Sequence, residues 1–339
     1  MNQTGFVTIA RNEGERLKTC LRSLAAAADP ARVIYVDSGS TDGSVEFAHS
    51  LGIFVLSLDP SATFTMARAR NAGFRHLVEK CPEVRYIQFL DGDCELVPGW
   101  LDKAVAFLDT HPDAAVVCGR RRERHPEKSV FNRLCDTEWN TPCGEARACG
   151  GDALMRRSDL EKIGGYNEDL IAGEEPEMCL RLRKAGRKIF RIDCEMTLHD
   201  ANILRFSQWW RRNLRGGYGA ADVADRTARA HGERLFGPLV DSARFWFAGV
   251  SAAVLLAIAL AFAGWFPASA AILVLAFGFA GLQAARIAWG ARRRAGGPRP
   301  AAEYGFFTML AKLPQFLGVF RYAADRRARR AAKLIEYKQ

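Results

Sequence analysis

Two aspartates one residue apart, Asp91 and Asp93, close the apolar run Tyr86-Ile87-Gln88-Phe89-Leu90. A run rich in β-formers that ends in carboxylates places them at the exposed end of a buried strand. Hard oxygen donors there suit Mg²⁺ or Mn²⁺, ions held by one or two carboxylates together with substrate phosphates. Gly92 lets the backbone turn between them without a Cβ clash. A second acidic group, Gly173-Glu174-Glu175-Pro176-Glu177, opens an amphipathic helix. Proline is tolerated in a first helical turn and carboxylates suit its positive end, so this cluster also has a purely electrostatic account. Asp37 follows the run Val33-Ile34-Tyr35-Val36 and enters the turn-forming loop Ser38-Gly39-Ser40-Thr41-Asp42-Gly43-Ser44. Each acid has a plainer reading on its own, because Asp-Gly is an ordinary turn dipeptide and acids commonly follow strands.

The elements that must position these groups alternate. Phe6-Val7-Thr8-Ile9-Ala10 reads as a first strand, followed by a helix carrying Leu17, Leu21 and Leu24 on one face. Strands at 33–36, 53–56 and 86–90 are separated by short helices, the last running through 67–78. Such alternation implies a parallel sheet with helices on both faces, and ligands bind outside the carboxyl ends of its strands. Asp37, Asp91 and Asp93 all fall at such ends. Further on, a strand at 188–192 precedes Thr197-Leu198-His199-Asp200.

The chain of 339 residues can bury a sizeable core, and its formal charge of +10 comes with arginines that flank two long apolar runs. No zinc-finger, RNA-recognition or helix-turn-helix pattern accompanies that charge, so nucleic acid is not the expected partner; anionic lipid headgroups and nucleotide phosphates are. Nine scattered cysteines, never spaced Cys-x-x-Cys, indicate neither a zinc ribbon nor a disulfide framework, and reduced cytosolic thiols are expected. Met1-Asn2-Gln3-Thr4 carries no pattern of a cleavable secretory signal.

Four segments in order, Ala10-Arg11-Asn12-Glu13, Val36-Asp37-Ser38-Gly39-Ser40-Thr41-Asp42-Gly43, Ala69-Arg70-Asn71-Ala72-Gly73 and Asp91-Gly92-Asp93, resemble the nucleotide-binding half of family-2 glycosyltransferases with the GT-A fold. The resemblance implies that Asp37 recognises the base, Glu13 lies near the nucleoside with Ala10 and Gly92 lining the donor site, and Arg70 approaches the phosphates. It implies that Asp93 binds the metal with Asp91 nearby, and that His199 completes the metal or diphosphate site. In the family an acidic pair before a helix supplies the catalytic base, usually as its second acid, an Asp. Aligned on Arg181 that position is Glu175, one methylene longer, with Glu174 as runner-up and Glu177 behind it. Phe206-Ser207-Gln208-Trp209-Trp210-Arg211-Arg212 is similar to the family's Gln-x-x-Arg-Trp segment, with Arg212 where the acceptor-lining Trp of processive synthases stands. An interfacial helix, with tryptophans at headgroup depth and arginines facing phosphate, accounts equally well for that segment.

Residues 245–266 and 268–285 are apolar stretches close to the roughly 20 residues that cross a bilayer. Arg244 precedes the pair, and Arg286 and Arg292-Arg293-Arg294 follow it, so a hairpin with both outer flanks cytoplasmic is expected. Residues 304–322 are aromatic and apolar but broken by Lys312 and Pro314, as in a helix lying in the interface. The expected organisation is a catalytic domain at 1–215 (nucleotide-sugar half 1–95, acceptor half 96–215), a connection at 216–243, a hairpin at 244–288, a basic linker at 289–303, and an interfacial helix with basic tail at 304–339. The expected fold class is α/β, a Rossmann-like GT-A domain with a helical membrane region. The expected activity is inverting, metal-dependent transfer from a nucleotide-diphosphate sugar, in the first instance a UDP-sugar, to a lipid-linked saccharide or polysaccharide acceptor at the inner membrane. The alternatives are a processive polysaccharide synthase and a nucleotide-sugar-binding membrane protein without turnover.

Overall fold

The computed structural model describes residues 3–59 and 61–330, so the end of the expected basic tail lies outside the described residues. Its strands are β1 (Thr4–Ala10), β2 (Val33–Asp37), β3 (Phe54–Ser57), β4 (Tyr86–Asp91), β5 (Cys94–Leu96), β6 (Ala114–Glu123), β7 (Gly144–Ala146), β8 (Ala153–Arg156) and β9 (Lys188–His199). The helices are α1 (Glu15–Ala27), α2 (Ser44–Ser50), α3 (Met66–Lys80), α4 (Trp100–Thr110), α5 (Val130–Trp139), α6 (Arg157–Lys162), α7 (Glu174–Lys184), α8 (Phe206–His231), α9 (Gly237–Phe262), α10 (Phe266–Ala291), α11 (Pro298–Leu310) and α12 (Lys312–Arg327). Among the described residues they divide into two compact units, one drawn from 3–125 with 139–202 and one from 126–138 with 203–330.

In the first unit the strands form one mixed sheet in the order β3-β2-β1-β4-β8-β6-β9-β5, with β7 on β9. The four N-terminal strands run parallel, as the alternation of elements requires. β1, β2 and β4 are buried almost throughout, which is why they read as continuous apolar runs rather than alternating ones. Helix α3 lies close on β1 and β2 because Gly73 faces them: a Cβ there would sit 2.5 Å from Val7 Cγ1 and 2.7 Å from Val36 Cγ2. Thr65 caps that helix, its side chain accepting the Arg68 N–H at 3.1 Å. The strand expected at 188–192 differs most from expectation, since β9 runs on to His199. Its later residues find partners that local pattern cannot show, pairing antiparallel with β5 and parallel with β6.

The second unit is helical. α8 is one continuous helix, capped when Gln208 Oε1 accepts the N–H groups of Leu204 at 2.9 Å and Arg205 at 3.0 Å. α12 crosses it where both are glycine: a Cβ on Gly217 would lie 2.0 Å from Gln315 O, and one on Gly318 2.1 Å from Leu214 O. α11 meets α10 in the same way at Gly305, 2.3 Å from Ala284 O. Phe131, Trp209 and Phe307 form an aromatic cluster with centroids 5.3–5.9 Å apart. In place of the one helix expected over 304–322 the chain forms two, α11 and α12, which join at Ala311. α9 and α10 are each 26 residues long and apolar enough to cross a membrane by length and composition. Their large apolar side chains are largely exposed, Phe262 to 90%.

Candidate active site

Register sets the site. Across β2-β1-β4, Asp37 pairs with Ala10 and Asp91 with Ile9, so these carboxylates end the two strands that flank β1, within one residue of the same level. Two inter-strand steps separate them, about 10 Å. Gly92 belongs there for close approach: a Cβ on it would lie 2.6 Å from the Ala10 Cβ, and its N–H donates to Ile9 O at 3.0 Å. Asp37 is buried and accepts the Tyr35 hydroxyl at 2.7 Å and the N–H groups of Gly39 and Ser40 at 3.0 Å each. The loop after β1 is tied to the loop after β2. Asn12, at φ 53°, accepts the Thr41 N–H at 2.8 Å, and Asp42 accepts the Gly14 N–H at 2.8 Å. Glu13, on the first of these loops, pairs with Arg16 at 2.7 Å.

The β5–β9 register sets Cys94 opposite His199, and the β6–β9 register sets Glu123 opposite the same histidine. His199 Nε2 thereby comes 3.2 Å from Asp93 Oδ2, its Nδ1 3.8 Å from Glu123 Oε2, and its ring packs edge-on against Trp139 at 4.5 Å. Burial opposes the imidazolium, but Asp93 outweighs it and holds the histidine above its ordinary value. Ligand atoms of Asp93, Cys94 and His199 lie within 4.8 Å of one another. The carboxylate and imidazole fit Mn²⁺ or Mg²⁺. Mn²⁺ and Mg²⁺ take oxygen and imidazole donors in preference to sulfur, so the Cys94 thiol is not the donor such an ion would select.

Asp91 is placed differently from Asp93. Its Oδ1 meets Arg70 Nη2 at 2.7 Å and its Oδ2 meets Arg121 Nη2 at 3.4 Å. Burial raises its pKa, and the two guanidinium groups more than reverse that, leaving it low. Arg70 is only 2% exposed and turns its other nitrogen to Glu174 at 2.6 Å, so it ties the end of β4 to the start of α7. Arg121 also meets the fully buried Asp152 at 2.8 Å. Asp152 accepts the Asp91 N–H at 3.0 Å and the Thr197 hydroxyl at 2.9 Å. Gly151 closes this knot, because a Cβ on it would lie 2.5 Å from Asp91 Oδ2. Replacing Arg70 by Met leaves two carboxylates without their shared cation, a loss of about 3–5 kcal/mol for a broken buried pair. The expected result is a clear drop in the apparent melting temperature measured by intrinsic fluorescence, larger than for Arg75→Met, whose guanidinium is exposed.

The three acids that begin α7 have separate surroundings. Glu174 is paired with Arg70, and Glu177 takes a fork from Arg181 at 2.8 and 2.9 Å. Glu175 is 6% exposed and meets neutral donors: the Cys149 N–H at 2.6 Å, the Cys149 thiol at 3.1 Å and the Cys179 thiol at 3.0 Å. Burial pushes its carboxyl up, the thiol and amide donors pull it partly back, and Glu174 adds to the rise. Helix polarity alone, the plain account of this cluster, does not separate three acids in one turn. The partners do: Glu174 and Glu177 are held by arginines, whereas burial among neutral donors holds the Glu175 carboxyl above its ordinary value.

The structure thus brings Asp37, Ala10, Gly92 and Asp91 onto one strip and joins Asp91 through Arg70 to Glu174. Asp93 with His199 lies just past the end of β4, while Glu13 stands on the β1 loop and turns to Arg16. Sequence reading gave no role to Arg121, Glu123 or Asp152. The buried acid after two glycines in Gly150-Gly151-Asp152 was the available signal for the last. A separate cavity lined by Thr4, Phe6, Arg32, Leu101, Asp102 and Asp109 sits by the start of β1 and holds none of these acids.

A mixed α/β sheet with acids gathered at the carboxyl ends of its parallel strands has the GT-A architecture. The fold is similar to that of the mannosyltransferase PcManGT of Pyrobaculum calidifontis, with a TM-score of 0.58 at 18% identity over 96% of this chain and 88% of that one. Residues 6–164 match glycosyl transferase family 2, and residues 86–284 match glycosyl transferase family group 2. The chain belongs to the family-2 glycosyltransferases. It is 27% identical to the O-antigen chain rhamnosyltransferase RfbN of Salmonella typhimurium, over 51% of this chain and 58% of that protein. It is 26% identical to the succinoglycan biosynthesis protein ExoA of Rhizobium meliloti, over 54% of this chain and 58% of that protein. The match therefore spans less than two thirds of either relative.

Proposed function

We propose that this protein transfers a sugar, with inversion, from a nucleotide-diphosphate donor to an acceptor hydroxyl, and that Glu175 is the base. One observation carries the reading: of the acids opening α7, Glu175 alone is buried among neutral donors while its neighbours are bound to arginines. Asp37 receives the base of the nucleotide at the end of β2, and Ala10, Glu13 and Gly92 line its path. Asp93 and His199 would hold a divalent cation, Mg²⁺ or Mn²⁺, which would supply positive charge against the departing diphosphate. Arg70 acts through Asp91 and Glu174, keeping the donor strip and the base turn in register. Glu175 accepts the acceptor's proton as that oxygen attacks the anomeric carbon opposite the leaving group, and a single displacement inverts the centre. That PcManGT was solved with GDP-Man and Mn²⁺ supports a nucleotide-diphosphate donor and a divalent ion, without choosing between uridine and guanosine.

The acceptor reading rests on α9 and α10. At about 1.5 Å per residue, their uncharged parts, residues 245–262 and 266–285, come close to the roughly 30 Å hydrocarbon core. With arginines at both outer flanks, the hairpin would hold the catalytic unit on the cytoplasmic face of the inner membrane beside anionic lipids. A lipid-linked saccharide of an envelope or exopolysaccharide pathway is the acceptor that fits this place. The test uses membranes containing the full chain, a panel of radiolabelled UDP- and GDP-sugars, native lipid extract and a chelator control. A single chelator-sensitive addition to extractable lipid is expected. Polymer would identify a processive synthase, and donor binding without product would identify a protein that has kept the site but not the turnover.

A further inference from the structure

Cys149, Glu175 and Cys179 form a second group of ligating side chains, distinct from Asp93 and His199, with one ligand atom from each within 4.8 Å of the others. The two sulfurs are 3.7 Å apart, and Glu175 Oε1 stands 3.1 Å from one and 3.0 Å from the other. Zinc–sulfur bonds of about 2.3 Å at tetrahedral angles put two coordinating sulfurs roughly 3.8 Å apart, so the thiol pair already has the edge length of such a site. Glu175 and Cys179 are four residues apart on α7 and share a face of that helix. Cys149 comes from the loop ahead of β8, held there by its own N–H on Glu175 at 2.6 Å. Three ligands on two elements are thus in place before any ion arrives, and one of them, Cys149, is only half-buried.

We propose that Cys149, Cys179 and Glu175 bind a thiophilic divalent cation of the Zn²⁺ class, and that such an ion silences the enzyme by occupying Glu175. Binding releases the two thiol protons to solvent; the thiolates and the carboxylate then share the ion in place of their mutual hydrogen bonds. Thiolate ligands select zinc-like ions over Mg²⁺ and Mn²⁺, which the oxygen and imidazole donors elsewhere in the unit suit. The inhibitory clause rests on the proposed base role of Glu175, whereas the binding clause does not.

The test uses the full chain in detergent, reduced and kept under argon, with Mg²⁺ in excess. Co²⁺ titration should give a near-ultraviolet thiolate-to-cobalt absorption that saturates at about one equivalent and is displaced by Zn²⁺. Cys149→Ser and Cys179→Ser, each checked for native fluorescence, should both lose that band. No band in the parent chain, or a band that survives both substitutions, overturns the site. In the transfer assay about one equivalent of Zn²⁺ should lower the parent rate roughly 10²-fold, the scale of a lost general base. The residual rate of Cys179→Ser should be insensitive to the same addition. Stoichiometric cobalt binding with turnover untouched by Zn²⁺ would establish the metal site and remove Glu175 from the base role.

Discussion

Glu175→Gln lowers transfer by roughly 10²- to 10⁴-fold, the range of a lost general base, while nucleotide-diphosphate binding stays near that of the parent protein. The amide keeps the shape of the side chain and an oxygen for the Cys149 N–H, but it cannot accept the acceptor's proton. Single-turnover measurement with radiolabelled donor reads the first quantity and equilibrium dialysis of labelled nucleotide the second. Loss of nucleotide binding would move Glu175 out of the base role. The pH profile gives an independent check. Burial holds the Glu175 carboxyl above its ordinary range, and the base must be ionised to act. The rate is therefore full above that raised pKa and falls as pH drops through it, so the acid limb lies higher than for an exposed glutamate. An acid limb in the ordinary carboxylate range would contradict the assignment. Removing the thiol donors that pull this pKa down, as in Cys179→Ala, should shift the limb upward.

Asp93→Ala is expected to reduce transfer by about 10²- to 10³-fold, the scale seen when a group that stabilises developing charge is removed. The distinguishing readout is the response to cation. The parent chain should retain nucleotide diphosphate more tightly as Mn²⁺ or Mg²⁺ is added and lose that gain with chelator; the variant should show neither. His199→Ala should weaken the cation response less, because an oxygen donor suits these ions better than imidazole. If Asp93→Ala kept a full cation response, Asp91 would take over the metal role. That outcome requires Asp91 to leave Arg70 or Arg121, which hold its two oxygens at 2.7 and 3.4 Å. Arg121→Met, which frees Oδ2, should strengthen such a substitution.

Strand ends and their acids were legible because buried parallel strands are continuous apolar runs, and the polar residues that follow each run mark its carboxyl end. Asp37, Asp91 and Asp93 are of this kind. Helix α7 was legible from Pro176 and the early acids, which suit the first turn of a helix. The far end of β9 was not read, although Cys194, Met196 and Leu198 alternate with polar residues there; what holds it is pairing with β5 and β6, which the local pattern does not name. The spacing of acids also could not separate Glu174 from Glu175 without the family resemblance. Their difference lies in Arg70 and Cys149, 104 and 26 residues away along the chain.

What the sequence determined by itself was therefore the layered α/β class, the carboxyl-end location of the acids and the two exposed apolar helices. These depend on local period and on which residues end a strand or a helix. What the tertiary structure decided was the partner of each acid: Asp91 with two arginines, Asp93 with His199, Glu174 with Arg70, and Glu175 with two thiols. The physical reason is that a carboxylate's proton affinity and ligand preference are set by charges and donors within a few ångströms, and those neighbours are brought together by register and packing rather than by adjacency in the chain.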